Sequence, residues 1–438
     1  MPALHTPPVP ESAARKNQRA DRARRLVRLG GLHFLAASRL SRLGPLRERQ
    51  FRLLFLGRFV SFLGNGIATI ALAFAVLDLT GSKADLGFVL AARALPQVLF
   101  LLVGGIWADR FPRHQVMVVS SIVSGASQAA IAMLLLTHHA RIWHLVALAA
   151  LNGASSAFFF PASQGVIPQV VSEDVRQQAN ALLRLALNVA LIGGSAFGGF
   201  LVAAIGSGWA IAFDAATFGV AALFIGALRL PPGKLEAASF LDDLREGWLE
   251  FRGRTWLWTI VLQFSVVNAA LSGAFNVLGP VVAQQDLGGA GPWGIVLAAQ
   301  NVGFVAGGLL ALRFRPRRML LVATLAILAG GPSLIALGIP LPLLAIAAFA
   351  LLSGVGIETF GVLWDTTMQQ EIPPAKLSRV YSYDALGSFV LIPIGVAVVG
   401  PLAEVVGTRT ALFCAAGLLY AATLPVLAVR EVRTLERR

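Results

Sequence analysis

Apolar runs of about 20 residues, the thickness of a bilayer core, recur along this chain from residue 52 to residue 429. Nothing else in the sequence limits the fold so tightly. In lipid every backbone N–H and C=O must be satisfied within the segment, so such runs are helices. We read them near 52–79, 84–108, 115–138, 142–168, 178–204 and 208–229, then near 255–283, 291–313, 318–338, 341–368, 378–402 and 408–429. With 56% hydrophobic and 13% charged residues, a water-soluble fold would leave too much apolar surface exposed. The expected fold class is an all-α membrane protein of twelve transmembrane helices in two pseudo-symmetric six-helix halves.

The net charge of +14 invites a nucleic-acid reading, but the placement of the charges opposes it. Of 36 Lys and Arg, only Lys83, Arg141 and Arg409 fall in the connectors assigned to the outside. Arg58 and Arg93 lie within helices. The rest sit in the N-terminal arm, the even-to-odd connectors, the helix ends on that side and the C-terminal tail. This asymmetry places both termini in the cytoplasm. The charge is a topology signal, and no nucleic-acid partner is expected.

The expected divisions are a basic arm over 1–50, a six-helix half over 51–230, a linker with an amphipathic helix over 231–254, a second half over 255–430 and a tail over 431–438. The first twenty residues of the arm have no core-forming pattern. Leu26 to Leu46 could form a basic surface helix. No uninterrupted apolar stretch precedes a cleavage site, so the arm is not a secretory signal. An offset of 205 residues relates the halves: Arg110 and Arg113 fall on Arg315 and Arg318, Gln164 on Gln369, and Ile167-Pro168 on Ile372-Pro373. Repeated six-helix halves place a substrate site near the midplane between them.

Enzymatic chemistry finds no support. No Walker A pattern, nucleophile elbow or metal-ligand spacing occurs, no cofactor is expected, and the single cysteine, Cys414, permits no intrachain disulfide. Ionisable groups inside apolar spans are costly and therefore candidates for function. Arg93 and Gln97 share a face of helix 2, Asp214 lies in helix 6, and Glu358 lies in helix 10 with Asp365 two turns on. Glu358 or Asp214 would suit a proton carrier. Arg58, Asp78 and Asp365, nearer the interfaces, read better as anchors. Among the amides, Asn65, Asn152, Gln164 and Gln300 join Arg93, Gln97, Asp214 and Glu358 as the expected substrate and proton pathway. Gln128, Asn188, Gln263, Asn268, Asn276 and Asn301 also mark the spans. Phenylalanines outnumber tyrosines 27 to 3, which suits an amphipathic organic molecule better than a sugar phosphate or an inorganic ion.

Between helices 2 and 3 stand ten residues, Gly105-Ile-Trp-Ala-Asp109-Arg110-Phe-Pro-Arg113-His114. They resemble the signature loop of the major facilitator superfamily, G-x-L-A-D-R-x-G-R-K, at Gly105, Ala108, Asp109, Arg110 and Arg113. Leu63-Gly-Asn-Gly66, Leu79-Thr-Gly-Ser82, Phe160-Pro-Ala162, Ile167-Pro-Gln169, Ala179-Asn-Ala181 and Phe213-Asp-Ala-Ala-Thr-Phe218 are similar to the drug and siderophore exporter branch, which includes macrolide efflux proteins and the enterobactin exporter. The resemblance implies proton-driven export of a small, mostly apolar molecule; we expect a monomer in a bacterial inner membrane. From the charge cluster and its repeat we also expect a latch on the cytoplasmic side built from Gly105, Asp109, Arg110, Arg113, Arg315 and Arg318. Two positions depart from relatives. Ser195 stands for the proline of the antiporter motif in helix 5, and Asn65 stands where an acid is common. The remaining readings are an uptake or facilitated-diffusion carrier, and a non-transporting sensor or scaffold that uses the basic arm.

Overall fold

The computed structural model describes residues 44–100, 111–172, 175–230, 247–314 and 316–436. Among them there is no strand. The N-terminal half comprises α1 (Arg49–Thr80), α2 (Lys83–Leu99), α3 (Arg113–Leu136), α4 (Ile142–Val170), α5 (Arg176–Ile205) and α6 (Ser207–Gly226). The C-terminal half comprises α7 (Thr255–Leu287), α8 (Ala290–Arg313), α9 (Met319–Gly338), α10 (Leu343–Glu371), α11 (Pro374–Phe389 and Ile392–Val406) and α12 (Thr408–Thr423). Eleven of these are long and apolar enough to cross a membrane. The described part of α2 is 17 residues and stops where the described segment stops. The chain is a multi-pass membrane protein.

Three spans differ in detail from their sequence reading, each at a proline. Pro332 has no N–H and its ring crowds the Leu328 carbonyl, so α9 breaks between Ile327 and Gly330. Pro393 interrupts α11 after Phe389 in the same way. Pro280 would orphan a carbonyl one turn back in α7, and the helix widens into π turns at Ala274–Leu278 and Ala283–Leu287. Those turns carry α7 past the expected end at 283, until Gly288 and Gly289, at φ of 90° and 101°, close it.

Within the N-terminal half α1 packs on α5 and α6, α3 on α4 and α6, and α2 on α4. Adding six to each number gives pairings that the other half also makes: α7 on α11 and α12, α9 on α10 and α12, and α8 on α10. The cross-half contacts obey the same exchange, α2 on α11 and α8 on α5.

Those crossings sit at one end of the bundle. We call the end where α1 begins the terminus side, and the other the far side. The α5–α8 crossing joins Gly199 to Gly294 near the start of α8. A Cβ on Gly294 would lie 2.8 Å from the Ser195 carbonyl and 3.0 Å from Gly199 Cα. The α2–α11 crossing seats Gly87 beneath Val396, whose carbonyl would be 2.7 Å from an added Cβ. Small residues let membrane helices approach closely enough for dispersion to hold them. On the terminus side, by contrast, no described glycine makes a close crossing between the halves, and Gln97, Gln164 and Arg184 are exposed, which we read as a cleft.

The expected linker helix lies partly outside the described residues; 247–252 are helical. Glu250 there accepts from Arg254 at 2.6 Å and from Lys376 at 3.0 Å, tying the linker to the start of α11. The Arg254 hydrogen bond, then that of Lys376, holds the Glu250 carboxyl below its ordinary range. A lowered folded-state value means the clamp stabilises above the ordinary glutamate pKa of 4.5 and fades as pH falls through the lowered one. Limited proteolysis of the linker should therefore accelerate in that acidic window. Glu250→Gln should show the faster cleavage already at neutral pH.

Candidate functional site: a cleft between two halves

Polar groups collect in three places. The first is the interior of the N-terminal half. Asp214 on α6 is fully buried, and Gln128 Nε2 on α3 donates to its Oδ2 at 2.6 Å. Thr217 Oγ1 donates to the Asp214 carbonyl at 2.7 Å. Gly64 of α1 lies against the carboxylate, where a Cβ would run into both Asp214 Oδ1 and Thr217 Oγ1. Arg93 on α2 lies within electrostatic reach of Asp214 without a direct ion pair among the described residues. Ser124 and Ser155 share a 2.5 Å hydrogen bond that ties α3 to α4. A charge so enclosed is held by its partners; exchange with water would require the half to open.

The second is the cleft. Glu358 of α10 is partly exposed, its side chain lying over Gly307 and Gly308 of α8. Arg184 of α5, exposed, faces it from the other half and lies within electrostatic reach of both Glu358 and Asp365. A carboxylate and a guanidinium on opposite walls of a cleft are drawn together when it narrows.

The third is the far-side seam. Glu404 Oε1 of α11 accepts from Ser82 Oγ at 3.0 Å and from the Ala84 N–H at 3.1 Å, so one half caps the first turn of a helix in the other. Lys83 Nζ reaches the Ala403 carbonyl at 3.5 Å. Gln284 donates to Asp78 at 3.2 Å, and Asn301 to Ser195 Oγ at 3.4 Å.

The expected pathway residues do not converge on one point. Asp214 and Arg93 belong to the enclosed network and Glu358 to the cleft. Asn65 and Gln300 are partly exposed, and Gln97 and Gln164 are exposed. Asn152 is 2% exposed, with neither amide atom hydrogen-bonded. It adjoins Gly153, at which α4 crosses the Arg93 backbone. Of the expected latch, Gly105, Asp109, Arg110 and Arg315 lie outside the described residues. Arg113 donates to the Gly165 carbonyl at 2.6 Å, bracing α3 on α4 within its own half, and Arg318 is exposed at the start of α9. Sequence reasoning missed Arg184, Asp384 and Glu404. Asp384 meets the criterion that selected Glu358, an acid inside an apolar span. Arg184 was counted with the basic helix ends, and Glu404 with a connector.

Two six-helix halves joined at one end by glycine crossings are the layout of a membrane transporter. The sequence profile of the Major Facilitator Superfamily matches residues 54–396, and the chain belongs to that family. Among its relatives, the multidrug efflux pump Tap of Mycolicibacterium fortuitum is 26% identical over 357 residues, covering 78% of this chain and 87% of Tap. The enterobactin exporter EntS of Shigella boydii is 25% identical over 393 residues, covering 87% and 92%. Among solved structures, the nucleoside transporter NupG superposes with a TM-score of 0.70 at 15% identity, over 86% of this chain and 98% of NupG. A bacterial homologue of the human lysosomal transporter Spinster gives 0.71 at 15%, over 89% and 99%.

Proposed function

We propose that this transporter exports a small amphipathic organic molecule from the cytoplasm of a bacterium by proton antiport. The terminus side is taken as cytoplasmic, as the Lys and Arg asymmetry requires. The observation that carries the reading is the asymmetry of the halves: glycine crossings join them on the far side, while towards the terminus side Glu358 is partly exposed opposite Arg184. A proton carrier must meet water on alternate sides, which Glu358 can do as the cleft opens and closes. Asp214 is enclosed by Gln128 and Thr217 and suits an anchor. The names of Tap and EntS, both exporters, support the direction.

In this scheme Glu358 takes a proton when the far side is open and releases it into the cytoplasm. Arg184 then competes for the carboxylate as the cytoplasmic side closes over substrate. Asp109, Arg110 and Arg113, with Arg315 and Arg318, hold that closed side. The protein works as a monomer in the inner membrane.

Efflux of an amphipathic dye from loaded cells tests the scheme. It should collapse with an uncoupler and equally in Glu358→Gln, with the variant insensitive to any further uncoupler. Efflux lost to the uncoupler but normal in Glu358→Gln would rule out Glu358 as the proton site. Efflux indifferent to both would rule out antiport.

A further inference from the structure

The C-terminal half contains a cavity of about 220 Å3 between α7, α10 and α11 that none of the foregoing uses. One wall is a run of stacked rings. Phe264 and Phe360 lie 4.5 Å apart at 18°, and Phe360 and Trp364 lie 6.1 Å apart at 9°. The polar lining is two carboxylates. Trp364 Nε1 donates to Asp384 Oδ2 at 3.1 Å, Ser388 Oγ donates to Asp384 Oδ1 at 3.1 Å, and Tyr381 OH donates to Asp365 Oδ1 at 3.3 Å. Every one of these donors is neutral. Among the described residues neither carboxylate has an ion pair, and the basic group in electrostatic reach of Asp365 is Arg184, across the cleft.

Two acids inside a membrane protein, hydrogen-bonded but without a cation of their own, leave a charge to be balanced. The rings decide what kind of cation fits. A metal ion is strongly hydrated and wants several hard or imidazole ligands, and no group of three or more His, Cys, Asp or Glu that could hold one occurs among the described residues. A quaternary ammonium, or a protonated amine on an aromatic frame, is weakly hydrated and gains from a ring face. Size narrows the choice further. The volume is below the ~300–1,000 Å3 of a whole drug-sized site, so the cavity takes the charged end of a molecule. Asp365, Tyr381 and Ala385 are partly exposed at its rim and Phe389 is exposed, so the remainder can lie in the cleft.

We infer that this cavity is a cation subsite. It receives the ammonium or protonated-amine end of an aromatic amphiphile, with Asp384 and Asp365 as countercharges and Phe264, Phe360 and Trp364 as the ring wall. The inference rests on the transport reading above and adds the charge of the substrate to it. Loading from the terminus side places the cation beside Asp365, and approach of Arg184 on closure would then weaken its hold.

Binding of radiolabelled (4-phenylbenzyl)trimethylammonium to the purified full-length protein, beside binding of the neutral dye Nile red, tests it. Asp365→Asn/Asp384→Asn should weaken binding of the ammonium by about tenfold or more and leave Nile red binding unchanged. If that variant does not fold, Gly361→Leu replaces it: an added Cβ there meets nothing within 4 Å, so the side chain can fill the cavity without displacing a helix. It too should lose the cation and keep its thermal stability. Cation binding unaffected by these changes overturns the subsite. So does equal loss of both ligands, or a wild type that binds no cation while the variant loses only proton-dependent dye efflux, which would make the acids proton sites. Charge-selective binding without dye efflux would keep the subsite and refute the export reading instead.

Discussion

Gly294→Leu should abolish transport and leave a folded protein. At the α5–α8 crossing a single added carbon already meets the Ser195 carbonyl at 2.8 Å and Gly199 Cα at 3.0 Å, both backbone and unable to turn aside. Leucine adds four carbons. Overpacking of this kind costs about 1–3 kcal/mol where neighbours can yield, which corresponds to roughly a fivefold to 150-fold shift between two conformations, and more where, as here, they are backbone. The contact joins the two halves, and each half keeps its own core when they part. The strain is therefore relieved by opening the far side, and the cycle stalls because the cleft-open state cannot be regained. Flux in proteoliposomes, beside thermal unfolding in detergent, checks this. Gly417→Leu is the control, since a Cβ there meets nothing within 4 Å. Normal flux through Gly294→Leu would mean that the far-side crossing is not part of the cycle.

Arg93→Leu should destabilise the N-terminal half, and Asp214→Asn should rescue it. Arg93 is the guanidinium in electrostatic reach of the fully buried Asp214 carboxylate. The two make no direct ion pair, so removing Arg93 leaves the enclosed carboxylate less compensated at a cost below the about 3–5 kcal/mol of a broken buried salt bridge. Neutralising both leaves Gln128 and Thr217 to hydrogen-bond an amide of the same shape. Thermal unfolding of the two single variants and the double variant forms a cycle that isolates the pair. The double variant should be more stable than Arg93→Leu alone. Additive losses would show that the two groups do not interact.

The sequence carried the architecture because bilayer thickness and proline chemistry act locally. Runs of about 20 apolar residues set the spans, and Pro332 and Pro393 mark the breaks in α9 and α11 even though the sequence reading ran straight through them. The repeat was legible because equivalent connectors keep equivalent residues. The site was legible only in part. Glu358 and Asp214 stood out as acids in apolar runs, yet their separation into cleft and interior depends on which face of α6 and of α10 meets another helix. No local pattern encodes that. Glu404 looked like a connector residue because its partners, Ser82 and the Ala84 N–H, are more than 300 residues away. Arg184 looked like a helix-end cation because its counterparts lie on the other half.

The central claim is that the two halves rock about a fixed cleft, and inter-label distances test it most directly. The exposed Cys414 is first replaced by serine. Spin labels at Ser172 and Pro373, just past the ends of α4 and α10, then report on the terminus side. Labels at Thr80 and Gln285, at the ends of α1 and α7, report on the far side; all four positions are exposed. Substrate and a change of pH should shorten the first distance while lengthening the second, and Asp109→Asn should reduce the population with the short terminus-side distance. Both distances staying fixed, or changing in the same sense, would contradict alternating access.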